Sequence, residues 1–298
     1  MVAIFGPTAS GKTAVAEAVA DAIGGEVVSC DSMQAYRGLP ILTNQPDRAT
    51  RLVGVWPLDH EGSVAEFADL AHAAIDEIVS SGRTPVLAGG TGLYLRAAIG
   101  GLDLPPKVDP EVRERAQRLY ERVGPERAHE LLATQDPAAA AAVHPNDRRR
   151  VVRALELLDV GASLQPVEAE LWSERARRPT VVFGLDVPRA TLDERIRARA
   201  QAMLEAGVVE EVRRALAAPI SSTASRALGL RELAELPEAE ALEALVVRTQ
   251  HYAAYQRKWM RRIPGLVSVA ADRSADKVTD ELLEVARARQ HLPAGRGR

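Results

Sequence analysis

Val2-Ala3-Ile4-Phe5-Gly6-Pro7-Thr8-Ala9-Ser10-Gly11-Lys12-Thr13 is the stretch that decides the fold. Four apolar residues run into a loop of the form G-x-x-x-x-G-K-[ST], and a helical pattern through Ala14, Ala18 and Ala22 follows, ending at Gly24-Gly25. Strand, glycine-rich loop and helix in that order make a P-loop unit. Its glycines let successive N–H groups close around phosphate oxygens, and the helix N-terminus adds partial positive charge. Lys12 supplies a mobile cation and the Thr13 hydroxyl can hold Mg²⁺. Gly6, Pro7, Thr8, Ala9, Ser10, Gly11, Lys12 and Thr13 are therefore candidate diphosphate-binding residues, with Thr13 as the metal ligand and Mg²⁺ as the expected cofactor.

Working outward, a second apolar run, Glu26 to Ser29, stops at Cys30-Asp31-Ser32. After a helix expected at Val64 to Ser80, a third run, Pro85 to Ala88, stops at Gly89-Gly90-Thr91-Gly92. Strands alternating with helices predict a parallel sheet, and ligands in such sheets sit outside the carboxyl ends of the strands. All three polar or glycine-rich segments fall at that edge, so one site could gather them. From Leu102 to Pro110 the composition shifts to Pro-Pro and Asp-Pro, and the chain to Asp159 reads as helices rich in Arg, Glu and Ala. A fourth strand, Thr180 to Leu185, then resumes the pattern, with helices at Leu192 to Ala206, Val208 to Ala217 and Ala239 to Arg262. The expected architecture is α/β, a P-loop parallel-sheet core with a mainly helical insertion. Its parts are residues 1–106, an insertion at 107–178, and 179–298.

The 298 residues are 46% apolar, ample for a buried core. Thirty-eight Lys and Arg against 41 Asp and Glu give a net charge of -3, so any polyanion site must be regional. No apolar run approaches the ~18 residues of a spanning helix, and the start of the chain has no signal-peptide pattern. Cys30 is the only cysteine, which excludes an internal disulfide and a cysteine-based zinc site. A cytoplasmic, monomeric protein is expected.

A P-loop does not say whether phosphate is transferred or leaves. Asp31 could serve as a Walker-B metal ligand or as a general base, and it sits beside Ser32, Met33 and Gln34, whose donors and acceptors suit an organic acceptor such as a base edge. It could also cap the next turn, and Thr91 could cap a helix. Arg148-Arg149-Arg150 with Arg153 is a dense basic cluster. The helix from Arg248 to Arg262 carries five basic residues, no acid, and Tyr252, Tyr255 and Trp259 on one face. Trp259 reads as core packing. Arg257, Lys258, Arg261 and Arg262 read as a phosphate-facing side.

Four motifs in order decide between these: Gly6 to Thr13, Asp31-Ser32-x-Gln34-x-Tyr36, Gly89-Gly90-Thr91-Gly92-Leu93-Tyr94, and His144-Pro145-Asn146-Asp147-x-x-Arg150-x-x-Arg153-Ala154-Leu155-Glu156. Together they resemble the tRNA dimethylallyltransferase (tRNA isopentenyltransferase) family. Arg195-x-x-x-Arg199-x-x-x-Met203, Gly207-x-x-x-Glu211-Val212, Leu228-Gly229-x-x-Glu232 and Gln256-x-x-Trp259-x-Arg261 extend the likeness over nearly the whole chain.

The resemblance implies transfer of a dimethylallyl group from dimethylallyl diphosphate to N6 of the adenine next to the anticodon, in tRNAs reading codons that begin with U. The partners would be the tRNA anticodon stem-loop and the diphosphate donor, and ATP would not be needed. It implies catalytic roles for Asp31, Lys12 and Thr91 and a diphosphate contact at Arg226. It implies RNA contacts at Asp31, Ser32, Met33, Gln34, Thr91 and Arg113, and along Arg149, Arg150, Val151, Val152 and Arg153. The chain departs from the family pattern at Ile41-Leu42-Thr43-Asn44-Gln45-Pro46, where a lysine is lost, and at Val55-Trp56-Pro57-Leu58-Asp59. The usual Ala-Lys-Arg-Gln reads Ala253-Ala254-Tyr255-Gln256. The rivals are a small-molecule kinase using ATP, a prenyltransferase acting on free AMP or ATP, and a non-catalytic RNA-binding module.

Overall fold

The structure is a computed structural model describing residues 1–100, 105–106, 108–164 and 175–289. The chain divides into two compact units, Met1–Gly101 with Glu174–Arg298, and Leu102–Ser173. The seams lie within about six residues of the composition shifts. Among the described residues no helix is long and apolar enough to cross a membrane.

The first unit is built on five parallel strands in the order β2-β3-β1-β4-β5. They are β1 (Val2–Phe5), β2 (Gly25–Ser29), β3 (Thr84–Gly89), β4 (Val181–Asp186) and β5 (Val267–Ala270). β1 lies at the centre with every side chain buried, as an unbroken apolar run demands of a strand covered on both faces. Its neighbours are in register through Phe5↔Gly89 and Phe5↔Gly184. Helices α1 (Lys12–Ile23), α2 (Val64–Ser80) and α3 (Gly92–Ile99) follow the first three strands. α2 has the expected bounds because Ser63 caps it, accepting from the Glu66 amide at 3.2 Å.

The face of α1 differs from the expected one. Val15, Ala16, Val19 and Ala20 are buried, whereas Ala14 and Ala22 are exposed. The two valines carry the larger apolar area and turn that side to the core. β5 and the last helix, Ala275–Ala288, were not expected from sequence, whereas α3 begins where the N-cap reading of Thr91 would place a helix.

The second unit holds α4 (Pro110–Val123), α5 (Pro125–Gln135), α6 (Pro137–Ala141) and α7 (Arg148–Asp159). Proline opens three of them, at the first-turn position where a missing N–H costs nothing. Asp109, Asp136 and Asp147 cap α4, α6 and α7 with their carboxylates. Its own core comprises Ala116, Tyr120, Ala128, Leu132, Val143, Val151, Val152 and Leu155.

Back in the first unit, β4 leads to α8 (Arg189–Glu205), α9 (Val208–Ala215), a 3₁₀ turn (Ala224–Arg226), α10 (Leu230–Glu235), α11 (Glu238–Met260), β5 and α12 (Ala275–Ala288). The end of β3 must be glycine. A Cβ on Gly89 would lie 2.3 Å from the Cys30 carbonyl oxygen, a backbone atom that cannot swing away. Gly89→Ala is expected to cost about 1–3 kcal/mol by overpacking. Urea unfolding checks this, and an unchanged midpoint would mean that the β2 and β3 ends can part freely.

Candidate active site

The carboxyl ends of β1, β2 and β3 deliver Gly6–Gly11, Cys30–Gln34 and Gly90–Thr91 to one edge of the sheet, where the topology puts ligands. There lies a cavity of about 620 Å³, lined entirely by the first unit. Thr8, Ala9, Gly11, Lys12, Thr13, Asp31, Ser32, Met33, Gln34 and Arg226 all line it. Gly6, Pro7 and Ser10 are not among the lining residues.

The loop carries three uncompensated costs. Ala9 stands in the left-handed region at φ 63°, disfavoured for any residue with a Cβ. The Ser10 hydroxyl is buried with no hydrogen-bond partner among the described residues. Burial pushes the Lys12 ammonium down to about 8, with Arg199 acting the same way and Asp31 opposing them. Burial lowers the Arg199 guanidinium too, again against the pull of Asp31. Two desolvated cations beside one carboxylate form a site complementary to an anion.

Not every loop group is free to meet that anion. Pro7 has no N–H, and its carbonyl accepts from the Ser10 amide at 3.2 Å and from Lys12 Nζ at 3.4 Å. The Thr8 amide donates to Gln256 Oε1 at 2.8 Å, and the Thr8 hydroxyl accepts from Arg199. In this structure Pro7 and Thr8 therefore shape the loop, and Thr8 also lines the cavity. The first-turn amides at Gly11 to Thr13 have no intrahelical partner.

Beside these cations, Asp31 Oδ1 accepts from the Met33 amide at 3.0 Å. The turn-capping role is therefore real, but it occupies one carboxylate oxygen and leaves the other. Thr91 sits at the N-cap of α3 without capping it. Its hydroxyl lies 3.2 Å from the Ser32 amide and 3.3 Å from the Ser32 hydroxyl, tying β3's end to the Asp31 segment. Ser29 donates to Gln34 Oε1 at 2.8 Å, and Gln34 Nε2 donates to the Asn44 carbonyl at 2.7 Å.

Sequence reasoning gave no role to several residues that build this site. Gln256, almost fully buried on α11, donates to the Gly90 carbonyl at 2.9 Å while holding Thr8. Glu211 on α9 accepts from the Ile41 and Leu42 amides at 2.9 and 2.8 Å, fixing the segment that departs from the family pattern. Arg195 and Arg199 line the cavity with Met203, one face of α8. Their i, i+4, i+8 spacing was the available signal. Trp259 packs against Gly92, where a Cβ would meet its ring at 2.2 Å. Arg257 does not face solvent phosphate as expected, because Asp186 at 3.2 Å and the Val187 carbonyl hold it. Cys30 is buried, and burial raises its thiol, so it is inert.

In the second unit, Glu156 is buried between Arg113 at 3.3 Å and Arg153 at 2.9 Å. Arg148 pairs with Glu121 and lies over the Tyr120 ring. Val151 and Val152 pack into that unit's core, so their side chains are removed from the expected RNA-contact set. Arg149 and Arg150 project from the exposed face of α7. His144 closes a turn, its Nδ1 accepting from the Asn146 amide at 3.1 Å.

A parallel sheet with a P-loop at its carboxyl edge, opening on a cavity lined by desolvated cations and a carboxylate, defines a P-loop α/β protein with a site complementary to an anion. The comparisons narrow this. The family model described as IPP transferase matches residues 34–263, and one described as Isopentenyl transferase matches residues 1–51. The chain belongs to the IPP transferase family. It is 40% identical over 300 residues to a tRNA dimethylallyltransferase of Salinispora tropica, covering 96% of this chain and 92% of the relative. It is 42% identical to that of Thermobifida fusca, covering 89% and 88%. The solved tRNA isopentenylpyrophosphate transferase of Bacillus halodurans is 33% identical and covers 97% of this chain and 98% of its own, with a TM-score of 0.67. A eukaryotic dimethylallyltransferase acting on tRNA, 23% identical with a TM-score of 0.79, shares the fold.

Lys12 sets a pH dependence. Its ammonium is charged below about pH 8 and neutral above it, so inorganic diphosphate affinity should fall as pH rises through 8, approaching about tenfold per unit for one linked proton. Calorimetry on wild type and Lys12→Met checks this. The advantage of the wild type should shrink above pH 8, and a constant ratio across pH 6–10 would contradict the assignment.

Proposed function

We propose that this chain transfers a dimethylallyl group from dimethylallyl diphosphate to N6 of the adenine next to the anticodon in tRNAs reading codons that begin with U, releasing diphosphate and acting as a monomer. The observation that carries this is the mixed lining of one cavity. Lys12, Arg195, Arg199 and Arg226 offer positive charge, while Met33, Leu42, Met203, Leu228 and Leu245 offer apolar surface, with Asp31 in the same lining. A phosphoryl acceptor needs no such apolar surface. A five-carbon allyl group does.

In the reaction the allylic C–O bond breaks and its electron pair leaves on diphosphate, while the adenine N6 lone pair forms the new C–N bond. Loop amides, Lys12 and the arginines meet the growing charge of the leaving group, already oriented before it forms. The free Asp31 oxygen accepts the N6 proton, a contribution of typically ~10²–10⁴ in rate. Thr91 and Ser32 hold the Asp31 segment toward the base. The donor set fits Mg²⁺ through few protein ligands: among the described residues no group of three or more His, Cys, Asp or Glu could hold a metal, so the Thr13 hydroxyl and the diphosphate oxygens would hold it, a manner usual for this ion. When bound it neutralises leaving-group charge.

Purified protein with tRNA, dimethylallyl diphosphate and Mg²⁺ should form N6-dimethylallyl-adenosine without ATP. Transfer of label from ATP to an acceptor with no prenyl transfer would overturn the proposal, and prenylation of free AMP in preference to tRNA would reassign the acceptor. Lys12→Ala should weaken donor binding, whereas Asp31→Ala should leave diphosphate binding nearly intact and abolish turnover. Loss of diphosphate binding in Asp31→Ala would make Asp31 a metal ligand.

The arm adds a second test. With Arg113, Arg148 and Arg153 engaged inside their unit, RNA backbone contact there falls to Arg149 and Arg150. Neutralising both should weaken cognate and non-cognate stem-loops alike and flatten the slope of log K against log salt by about 1 to 2, at roughly 0.7–0.9 per phosphate. An unchanged slope would make α7 an ordinary solvated helix.

A further inference from the structure

Helix α11 presents an exposed stripe that the reaction above does not use. Arg248, His251, Tyr255, Lys258 and, just past the helix end, Arg262 follow one another at spacings of three and four, and all five are exposed. Their spacing gathers them on one side of the helix, with cations before and after a single aromatic ring. Arg248 shares its charge with Glu232. Tyr255, 54% exposed, is the most exposed large apolar side chain among the described residues.

Tyr255 is not an isolated surface residue. Its ring lies against that of Tyr252, with centroids 6.4 Å apart and planes 24° from parallel. Tyr252 in turn lines the cavity, and its hydroxyl interacts with the side chains of Thr91 and Gln256. Thr91 itself is not a lining residue, so Tyr252 is what joins it to the cavity, and the two near-parallel rings lead from there to the exposed Tyr255. At this point the sequence departs from the family pattern, with Ala254-Tyr255 in place of Lys-Arg. A cation that would pair with phosphate is replaced by a ring that can stack on a base.

We infer that Tyr255, backed by Tyr252, is a stacking surface for one unpaired base of the RNA acceptor, the neighbour of the adenine that enters the cavity. The inference rests on the acceptor being RNA. An anticodon loop offers unpaired bases, and lifting one of them from the stack strands its neighbour without a partner. An aromatic platform at the cavity rim restores that lost stacking. Lys258 and Arg262, which follow Tyr255 along the same side of the helix, suit the adjacent backbone, the combination that binds single strands without sequence readout.

The test uses the full chain with dimethylallyl diphosphate and anticodon stem-loop RNAs carrying 2-aminopurine immediately 5′ or 3′ of the target adenosine. Tyr255→Ala should raise the KM for RNA about tenfold, within the range of single-base stacking losses. Its complex should be brighter than the wild-type complex for one of the two probes, and inorganic diphosphate affinity should not change. Tyr255→Phe should behave as wild type. Tyr255→Arg should keep low-salt affinity while steepening the salt slope by about 0.7–0.9 and leaving the probe bright, because a phosphate contact replaces a stack. Equal KM and equal brightness in wild type and Tyr255→Ala would overturn the inference while leaving the proposed function standing. So would a Tyr255→Phe variant as impaired as Tyr255→Ala. Absence of prenylated RNA from the wild type would instead remove the proposed function, and this inference with it.

Discussion

One buried amide side chain holds the site together. Gln256 accepts from the Thr8 amide with its oxygen and donates to the Gly90 carbonyl with its nitrogen, so α11, the phosphate loop and the end of β3 meet at a single group. An uncharged amide offers a donor and an acceptor at fixed separation, which is what these two backbone groups require. A glutamate would face the Gly90 carbonyl with a second acceptor, and an apolar replacement would orphan two buried backbone groups at about 1–3 kcal/mol each. The same bond favours glycine at position 90: a Cβ there would come within 2.2 Å of the amide nitrogen and push Gln256 out of its bridging position.

The loop anchored in this way is charged before any ligand arrives. Lys12 and Arg199 are desolvated, and the Asp31 carboxylate acts on both. Arg199 reaches the loop through the Thr8 hydroxyl, so the second cation is fixed to the same scaffold as the first. The result is a preorganised positive field of the kind that favours a departing anion over a bound neutral group. Asp31 serves two ends, holding its own turn with one oxygen and facing the cavity with the other.

Much of this was legible in the chain. The unbroken apolar run of β1, the glycine-lysine loop and the three polar segments at strand ends follow from local pattern, and the sheet brought those segments to one edge as that pattern required. What was not legible depended on partners distant in sequence. Gln256 lies 248 residues from Thr8, and Glu211 lies 170 from Ile41. Nothing in a local window marks a glutamine or glutamate as the staple of a remote loop. The basic residues of the second unit show the same limit. Arg148-Arg149-Arg150 with Arg153 is dense in sequence, and the resemblance adds Arg113, yet Arg113 and Arg153 both pair with the buried Glu156, which a count of basic residues does not reveal. β5 escaped because it is a four-residue edge strand with only one buried side chain, too short and too exposed to show a periodicity.

The order of strands also bears on how the chain is made. β1 pairs with β3, encoded before the helical insertion, and with β4, encoded after it. As a ribosome releases the chain from its N-terminus, one flank of the central strand stays without its neighbour until the whole insertion has emerged. During that interval α4 to α7, whose pairings are local, can complete their own core, as low contact order favours. The exposed flank of β1, a wholly apolar strand, is meanwhile the part of the nascent chain most open to pairing with another copy. The insertion thus sets a waiting time in biosynthesis, and a shorter arm would close the sheet sooner.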